Sequence, residues 1–533
     1  MFKQTALLAV SAASTYTILV RSQGPVLAES PVASRPSGSV EIQRLTAQRL
    51  NERPGVLAWG SNKNQTLSRS KDLPIVRLPS RLDYFNGRLL RDLVLADDMA
   101  IAVLDNGDVV QWAGSQDSDV DSPQLVLKGK NINKVQVSRG KSVYALANSG
   151  SIYSWPVSAA TSTSASSSIS SDLEKADTAS SSSSSSNNSS NGTRHWCSYF
   201  SIFWGGNSSH KSGTTVTTLN TPSLSFGEYV KDIAVGNDHI LALSSSGRVF
   251  SGSTGQIAPS ESKGQYGIAS MSQFDKAPEP GTLHEIKLLK KFPIAKIAVG
   301  DYHSLVLTKE GKLLGFGDNL YGQLGISYSY RTANIAVPTE LPISGILFGG
   351  DIHRKVTNIA AGGSITYFTV NAGVESEDVY SMGNGLSGQL GTGSFAHSQR
   401  SPLKIKHFSG LSAFSEKLNK TVPINISSWS VGTSHTAVTL NSSPSSQDVL
   451  VWGSNESSQL GNGKRNIAGY PRPVPLYETD ASGNSTLSPV GLQLLTGQTM
   501  TFTDHNGKTR KAKVDQVITC GDSATAVYYR RSK

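Results

Sequence analysis

The chain has 533 residues, 50 of them Gly, with charged residues at 17% and only 2 Cys. Two Cys, Cys197 and Cys520, exclude a disulfide framework and a Cys-based zinc cluster, and a 37% hydrophobic fraction excludes a polytopic membrane protein. The net charge of +10 suits an anionic partner of some kind, but no run of five Lys or Arg marks a polybasic nucleic-acid arm.

At the N-terminus, Lys3 and Arg21 bracket an uncharged stretch from Gln4 to Val20. These 17 residues would span about 25 Å as a helix, short of a ~30 Å hydrocarbon core, and Ser and Thr dilute them. A short membrane anchor, a secretory signal and a mitochondrial targeting segment all fit that length. The first acid is Glu29, and Arg21, Arg35, Arg44, Arg49 and Arg53 follow the stretch, which suits mitochondrial import. Residues 1–24 are read as a targeting or single membrane-anchor segment, with 4–20 meeting the membrane, and 25–54 as a linker.

From residue 55 onward one unit recurs. A Gly stands three residues before His at Gly236 and His239, Gly300 and His303, and Gly432 and His435. A turn Gly follows the first two His, at Gly247 and Gly311. Apolar runs cut by Ser, Asn and Gly at this spacing predict antiparallel hairpins, not helices. A second block follows: an apolar residue before Gly at Phe316, Met382 and Trp452, then Gln-Leu-Gly ending at Gly325, Gly391 and Gly461. Weaker starts lie at Trp59, Trp112 and Trp155. The Gly-x-x-His position or its degenerate equivalent falls near Ala96, Arg139, Gly236, Gly300, Gly362, Gly432 and Gly521, which predicts seven units.

These two blocks together resemble the regulator of chromosome condensation repeat, a family of seven-bladed β-propellers, across residues 55–533. The resemblance implies an all-β ring. The ends fit one: Val56–Gly60 is a last-strand block lacking its earlier strands, and Asp515–Thr519 and Ala524–Tyr529 are earlier strands lacking that block. Joining them completes a blade and removes the open edge.

Two insertions interrupt the repeats. Residues 158–193 are mostly Ser, Ala, Thr and Asn, including Ser180 to Ser186. They cannot bury enough apolar surface to offset chain entropy, and disorder is expected. A second, polar insertion spans 479–511. Directly after the first comes the most aromatic segment of the chain, Trp196, Tyr199, Phe200, Phe203 and Trp204. Phe203 to Asn207 read as a Trp-Gly-x-Asn strand resuming the blade. Trp196, Tyr199 and Phe200 are the candidate partner contact.

No motif carries chemistry. Gly383, Gly385 and Gly388 spell a literal G-x-G-x-x-G, but Gln, Leu and Gly follow where a dinucleotide site needs a helix. His239, His303 and His435 occupy equivalent positions on different units, so they cannot converge on one metal ion. They are read as structural, each ring bonded to a turn carbonyl. Gly521, Asp522 and Ser523 occupy the degenerate Gly-x-x-His slot and have no legible triad partners. No catalytic residue, cofactor or metal is assigned.

A rigid disc without a catalytic cluster is expected to be a binding platform. The resemblance implies a mitochondrial scaffold, since a fungal inner-membrane member of the family is linked to assembly of the respiratory bc1 complex, complex III. The partners would then be complex III subunits or assembly intermediates. Two alternatives stay open: guanine-nucleotide exchange on a small GTPase, and a mitoribosome- or RNA-associated platform. The missing polybasic cluster argues against nucleic acid as the main partner.

Overall fold

A computed structural model describes residues 53–532 except 114–119, 139–141, 158–215, 255–261, 272–279, 328–332, 348–353, 374–375, 416–418, 476, 480–484 and 488–490. The Gln4–Val20 stretch, the 158–193 insertion and the Trp196–Trp204 tract lie outside the described residues.

Among the described residues, seven antiparallel sheets of four or five strands form the blades, and two two-stranded hairpins lie beside them. The innermost strands of the blades are, in order, Leu90–Leu95, Ile132–Ser138, Val230–Val235, Ile294–Val299, Val356–Gly362, Ile426–Val431 and Thr509–Cys520. We number the blades one to seven in that order. All seven inner strands line one central cavity of about 430 Å³. The second strands, such as His239–Ser244, His303–Thr308 and His435–Leu440, are buried at every position. They read as continuous apolar runs because a neighbouring blade covers each face. Side chains alternate between the two: Leu305 and Leu307 pack toward blade five, with Ile359 and Phe368, while Val306 packs toward blade three, with Leu241 and Leu243.

The ring closes by pairing the two ends of the chain. Val56–Ser61 runs antiparallel to Ala524–Arg531, with Val56 opposite Tyr528 and Gly60 opposite Ala524. Its other edge takes Ile75–Leu82. Blade seven is thus built from both ends, as the split repeat predicts.

In blade two, Ile152–Pro156 is the third strand, with Trp155 in the aromatic position, and Thr217–Thr218 is the outer strand. The place given to Phe203–Asn207 is therefore already filled. The Trp155 start supplies this third strand, and Pro156 stands where Gly60 follows Trp59.

Within 479–511, Gln493–Leu495 pairs with Ser446–Asp448 of blade six. Gln498–Thr503 pairs with the first half of Thr509–Cys520, making a hairpin that extends below blade seven. Phe502 and Val514 anchor it against Leu89 and Tyr529. No helix among the described residues is long and apolar enough to cross a membrane.

The disc has two faces. On the upper face each inner strand turns into its second strand. On the lower face each outer strand passes into the next blade. Val56–Ser61 rises from the lower face, so residues 1–54 join the disc there.

Candidate functional site

The repeated motifs build the upper rim and the joints between blades. Each Gly-x-x-His imidazole is fully buried. The Nε2 atoms of His239, His303 and His435 lie 2.9, 3.0 and 2.8 Å from hydroxyls of the next blade, Ser304, Thr366 and Thr525. Those hydroxyls donate in turn to the backbone carbonyls of Gln265, Gln323 and Gln459. A hydroxyl that donates to a carbonyl must accept from the imidazole, so Nε2 carries a proton. The partner is therefore a hydroxyl across the blade joint, not a turn carbonyl. Period 3 within one turn signals a local contact, and nothing in it reveals the neighbouring blade.

The Gln-Leu-Gly block belongs to the same joint. Its Gln carbonyl also accepts the indole N–H of the next blade: Trp452 on Gln389 and Trp59 on Gln459, both at 2.8 Å. A Cβ on Gly391 or Gly461 would lie 2.9 or 2.8 Å from that indole nitrogen, so the last Gly makes room for the ring. Two members escaped the sequence reading. Gly264, Gln265, Tyr266 and Gly267 are the block of blade three, hidden because Tyr266 replaces Leu. In blade five Ile365 takes the His place, and Tyr367 reaches across instead: its hydroxyl bonds Thr436 Oγ1 and the Gln389 carbonyl.

The turn Gly is fixed by close approach. A Cβ on Gly300 would stand 2.2 Å from His303 Cε1 and 2.5 Å from the Gly363 carbonyl oxygen. Gly300→Ala should lower the urea midpoint by an amount equivalent to about 1–3 kcal/mol, the usual cost of overpacking. An unchanged midpoint would refute this account of the motif.

One joint has the elements of a Ser-His-Asp triad. Ser304 Oγ meets His239 Nε2, and His239 Nδ1 lies 3.6 Å from Asp238 Oδ1. Asp238 also accepts from Gln265 Nε2 at 2.6 Å and the Tyr266 hydroxyl at 3.1 Å. All three triad residues are buried at 0–1% exposure, so no substrate reaches the hydroxyl. The same hydroxyl–imidazole pair recurs at His303 and His435 with no carboxylate recorded against either ring. It is a joint, not a nucleophile.

At the lower end of the cavity, the residues after the inner-strand bulges of blades one to five form a polar arc: Asp92, Lys134, Asp232, Lys296 and Asn358. Lys134 Nζ donates to Asp232 at 2.7 Å and to the Ile233 carbonyl at 2.8 Å. Lys296 donates to Asn358, and burial pushes its pKa down. Burial lifts Asp92 to about 6, against the N–H groups of Val135 and Leu93 that its carboxylate accepts. Lys134 with Asp232 and Lys296 with Asn358 are thus paired across neighbouring blades, and Asp92 is held by backbone N–H groups. Among the described residues no three His, Cys, Asp or Glu are placed to hold a metal ion. Trp196, Tyr199 and Phe200 lie outside the described residues.

The geometry is thus a closed ring of seven blades, with His–hydroxyl–carbonyl joints between blades three and four, four and five, and six and seven. Models of the regulator of chromosome condensation repeat match residues 294–323 and 376–439. The chain is also 27% identical over 511 residues to Protein FMP25, mitochondrial, of Saccharomyces cerevisiae, covering 92% of this chain and 75% of that one. The chain carries repeats of the regulator of chromosome condensation type. The RCC1 domain-containing protein RUG3, mitochondrial, of Arabidopsis thaliana is 33% identical over 151 residues, 28% of this chain and 29% of that protein. The crystal structure of human WBSCR16 superposes with a TM-score of 0.55 at 17% identity, covering 90% of this chain and 100% of that one. At that identity the likeness shows the shared propeller fold alone. In this regulator-of-condensation propeller the repeat motifs are accounted for by the joints, which leaves the two loop-bearing faces as the surfaces open to partners.

Proposed function

We propose that this repeat propeller is a non-catalytic mitochondrial scaffold that acts in assembly of respiratory complex III. The observation that carries the reading is similarity to a mitochondrial yeast protein across 92% of the chain. The second relative named as mitochondrial supports the same compartment. The buried joints support the non-catalytic part, because every His of the repeat motif is sealed from solvent. Residues 1–24 serve as the address, with 4–20 as an inner-membrane tether and 25–54 as linker. Trp196, Tyr199 and Phe200 serve as the contact for complex III subunits or assembly intermediates.

The test is genetic and biochemical together. A deletion strain should lose most ubiquinol–cytochrome c reductase activity, while other respiratory complexes change little. Trp196→Ala, Tyr199→Ala and Phe200→Ala combined should reproduce that loss with the melting temperature unchanged. Normal complex III activity in the deletion strain would overturn the assembly role. Stimulated nucleotide release from a small GTPase by the purified protein would move the reading to an exchange factor.

A further inference from the structure

The lower face carries an arc of exposed lysines that form no ion pairs among the described residues. The connection from blade three to blade four holds Lys287, Lys290 and Lys291. The hairpin turn of blade four holds Lys309 and Lys312, and the connection to blade five holds Lys355. All six side chains are exposed. The three loops adjoin: Lys309 N–H donates to the Pro293 carbonyl at 2.8 Å, and Val356 N–H to the Gly311 carbonyl at 3.2 Å. Among the described residues none of these lysines forms an ion pair. The nearby carboxylates are already held: Glu228 and Glu285 by Arg248, and Asp378 by Arg354 and Lys404. Lys290 acts electrostatically on Glu285, whose closer partner is Arg248. Glu310, and Glu340 opposite Leu314 at the lower end of the outer strand of blade four, are exposed acids within the arc.

Apolar tips stand among these charges. Leu288, between Lys287 and Lys290, is 54% exposed, and Phe414 on the hairpin entering blade six is also 54% exposed. Phe226, on the connection entering blade three, is fully exposed. All three lie on lower-face connections, flanking or within the lysine arc. The upper face carries the opposite sign on its inner turns, at Asp97, Asp98, Asp301 and Asp522.

We propose that the lower face docks on an anionic lipid bilayer, with the lysine arc on the headgroups and Leu288, Phe226 and Phe414 inserted at the interface. Lysines near an anionic surface attract it additively, and apolar side chains supply the second signal that stable surface binding needs. Two observations favour lipid over RNA. The cations are lysines, which act as point charges, not guanidiniums arranged to stack or fork. The aromatic tips stand on separate connections, so they form no platform for successive bases. The described chain enters the disc on this face, at Arg53 and Pro54. The acidic upper turns then face away from the lipid.

The experiment uses the full-length chain with Leu8→Arg and Val10→Arg, so that residues 4–20 cannot insert. It is sedimented with vesicles of phosphatidylcholine alone, or of phosphatidylcholine with phosphatidylglycerol. Binding to the anionic vesicles alone is expected. Lys287→Glu, Lys290→Glu and Lys291→Glu together should weaken it about 100-fold or more. Leu288→Ser with Phe226→Ser should abolish the part that survives raised salt. Melting temperatures of all variants should match, since every changed residue in the disc is exposed. No anionic-vesicle binding, equal binding to neutral vesicles, or indifference to the lysine reversal would each overturn the proposal. Displacement from vesicles by a mixed-sequence RNA oligonucleotide at equal phosphate concentration would overturn it in favour of RNA. The assay reads purified protein and lipid, so its failure leaves the complex III reading where it stood.

Discussion

Deleting residues 55–62 should leave the chain unable to fold as a cooperative unit. Val56, Leu57, Ala58 and Trp59 are buried at 0–2% exposure, and their strand is hydrogen-bonded on both edges. The larger of these side chains each contribute roughly 1.5–3 kcal/mol on burial, and a whole domain is stable by only about 5–15 kcal/mol. The deletion also removes Trp59 from the Gln459 carbonyl, which opens the joint between blades six and seven. A linear repeat array tolerates the loss of a terminal unit, because each unit touches only its neighbours and the end is already open. A closed ring has no terminal unit, so the broken blade exposes edges in the middle of the structure. The milder Trp59→Ala should cost about 3–5 kcal/mol. Thermal unfolding followed by circular dichroism checks both. A truncated protein melting at the wild-type temperature would refute closure by the chain ends.

Stability should fall steeply as pH drops from about 6.5 toward 4. Burial pushes His303 down to about 3, with His239 nearby adding to the effect, and burial pushes His435 down to about 4. In the unfolded chain each imidazole takes up a proton near its ordinary pKa of about 6.5, while the folded joints stay neutral. The unfolded state then binds more protons, so the contribution is complete above pH ~6.5 and is lost as pH falls toward the folded values. At about 1.4 kcal/mol per pKa unit, the two joints account for a loss on the order of 5 kcal/mol by pH ~4. Asp92 works in the opposite sense. Its folded pKa of about 6 exceeds the ordinary carboxylate value, so its contribution is present at low pH and lost as pH rises through 6. It therefore offsets part of the histidine slope. His303→Gln with His435→Gln should lower stability at pH 7 but flatten the profile below pH 6.5. A double variant with the wild-type acid slope would show that the buried imidazoles are not its source.

The all-β class, the seven units and the closure were legible because each is carried by local chemistry. Gly at Gly300 and Gly317 is needed wherever a backbone passes too close for a Cβ: 2.2 Å to His303 Cε1 in one case and 2.3 Å to the Tyr302 carbonyl oxygen in the other, where φ is +104°. Such positions mark the repeat even when little else is kept. The split of blade seven was legible for the same reason, since Trp59 and Gly60 sit at one end of the chain and the strands they complete at the other.

What the sequence by itself determined is therefore the repeat, its number and the ring. What only the tertiary structure decided is what the motif residues touch. His303 meets Thr366, and Trp59 meets Gln459, 400 positions away in the chain. Tyr367 takes a histidine's place from a different position on its strand, and Asp238, His239 and Ser304 assemble a triad geometry in which nothing can react. Six lysines on three loops, each unremarkable in its own segment, form one arc because the lower face brings the connections of consecutive blades side by side. Local spacing fixes backbone geometry through sterics within a few residues. Partners across a blade joint or along a face depend on how whole sheets pack, and packing is set by side chains far apart in sequence.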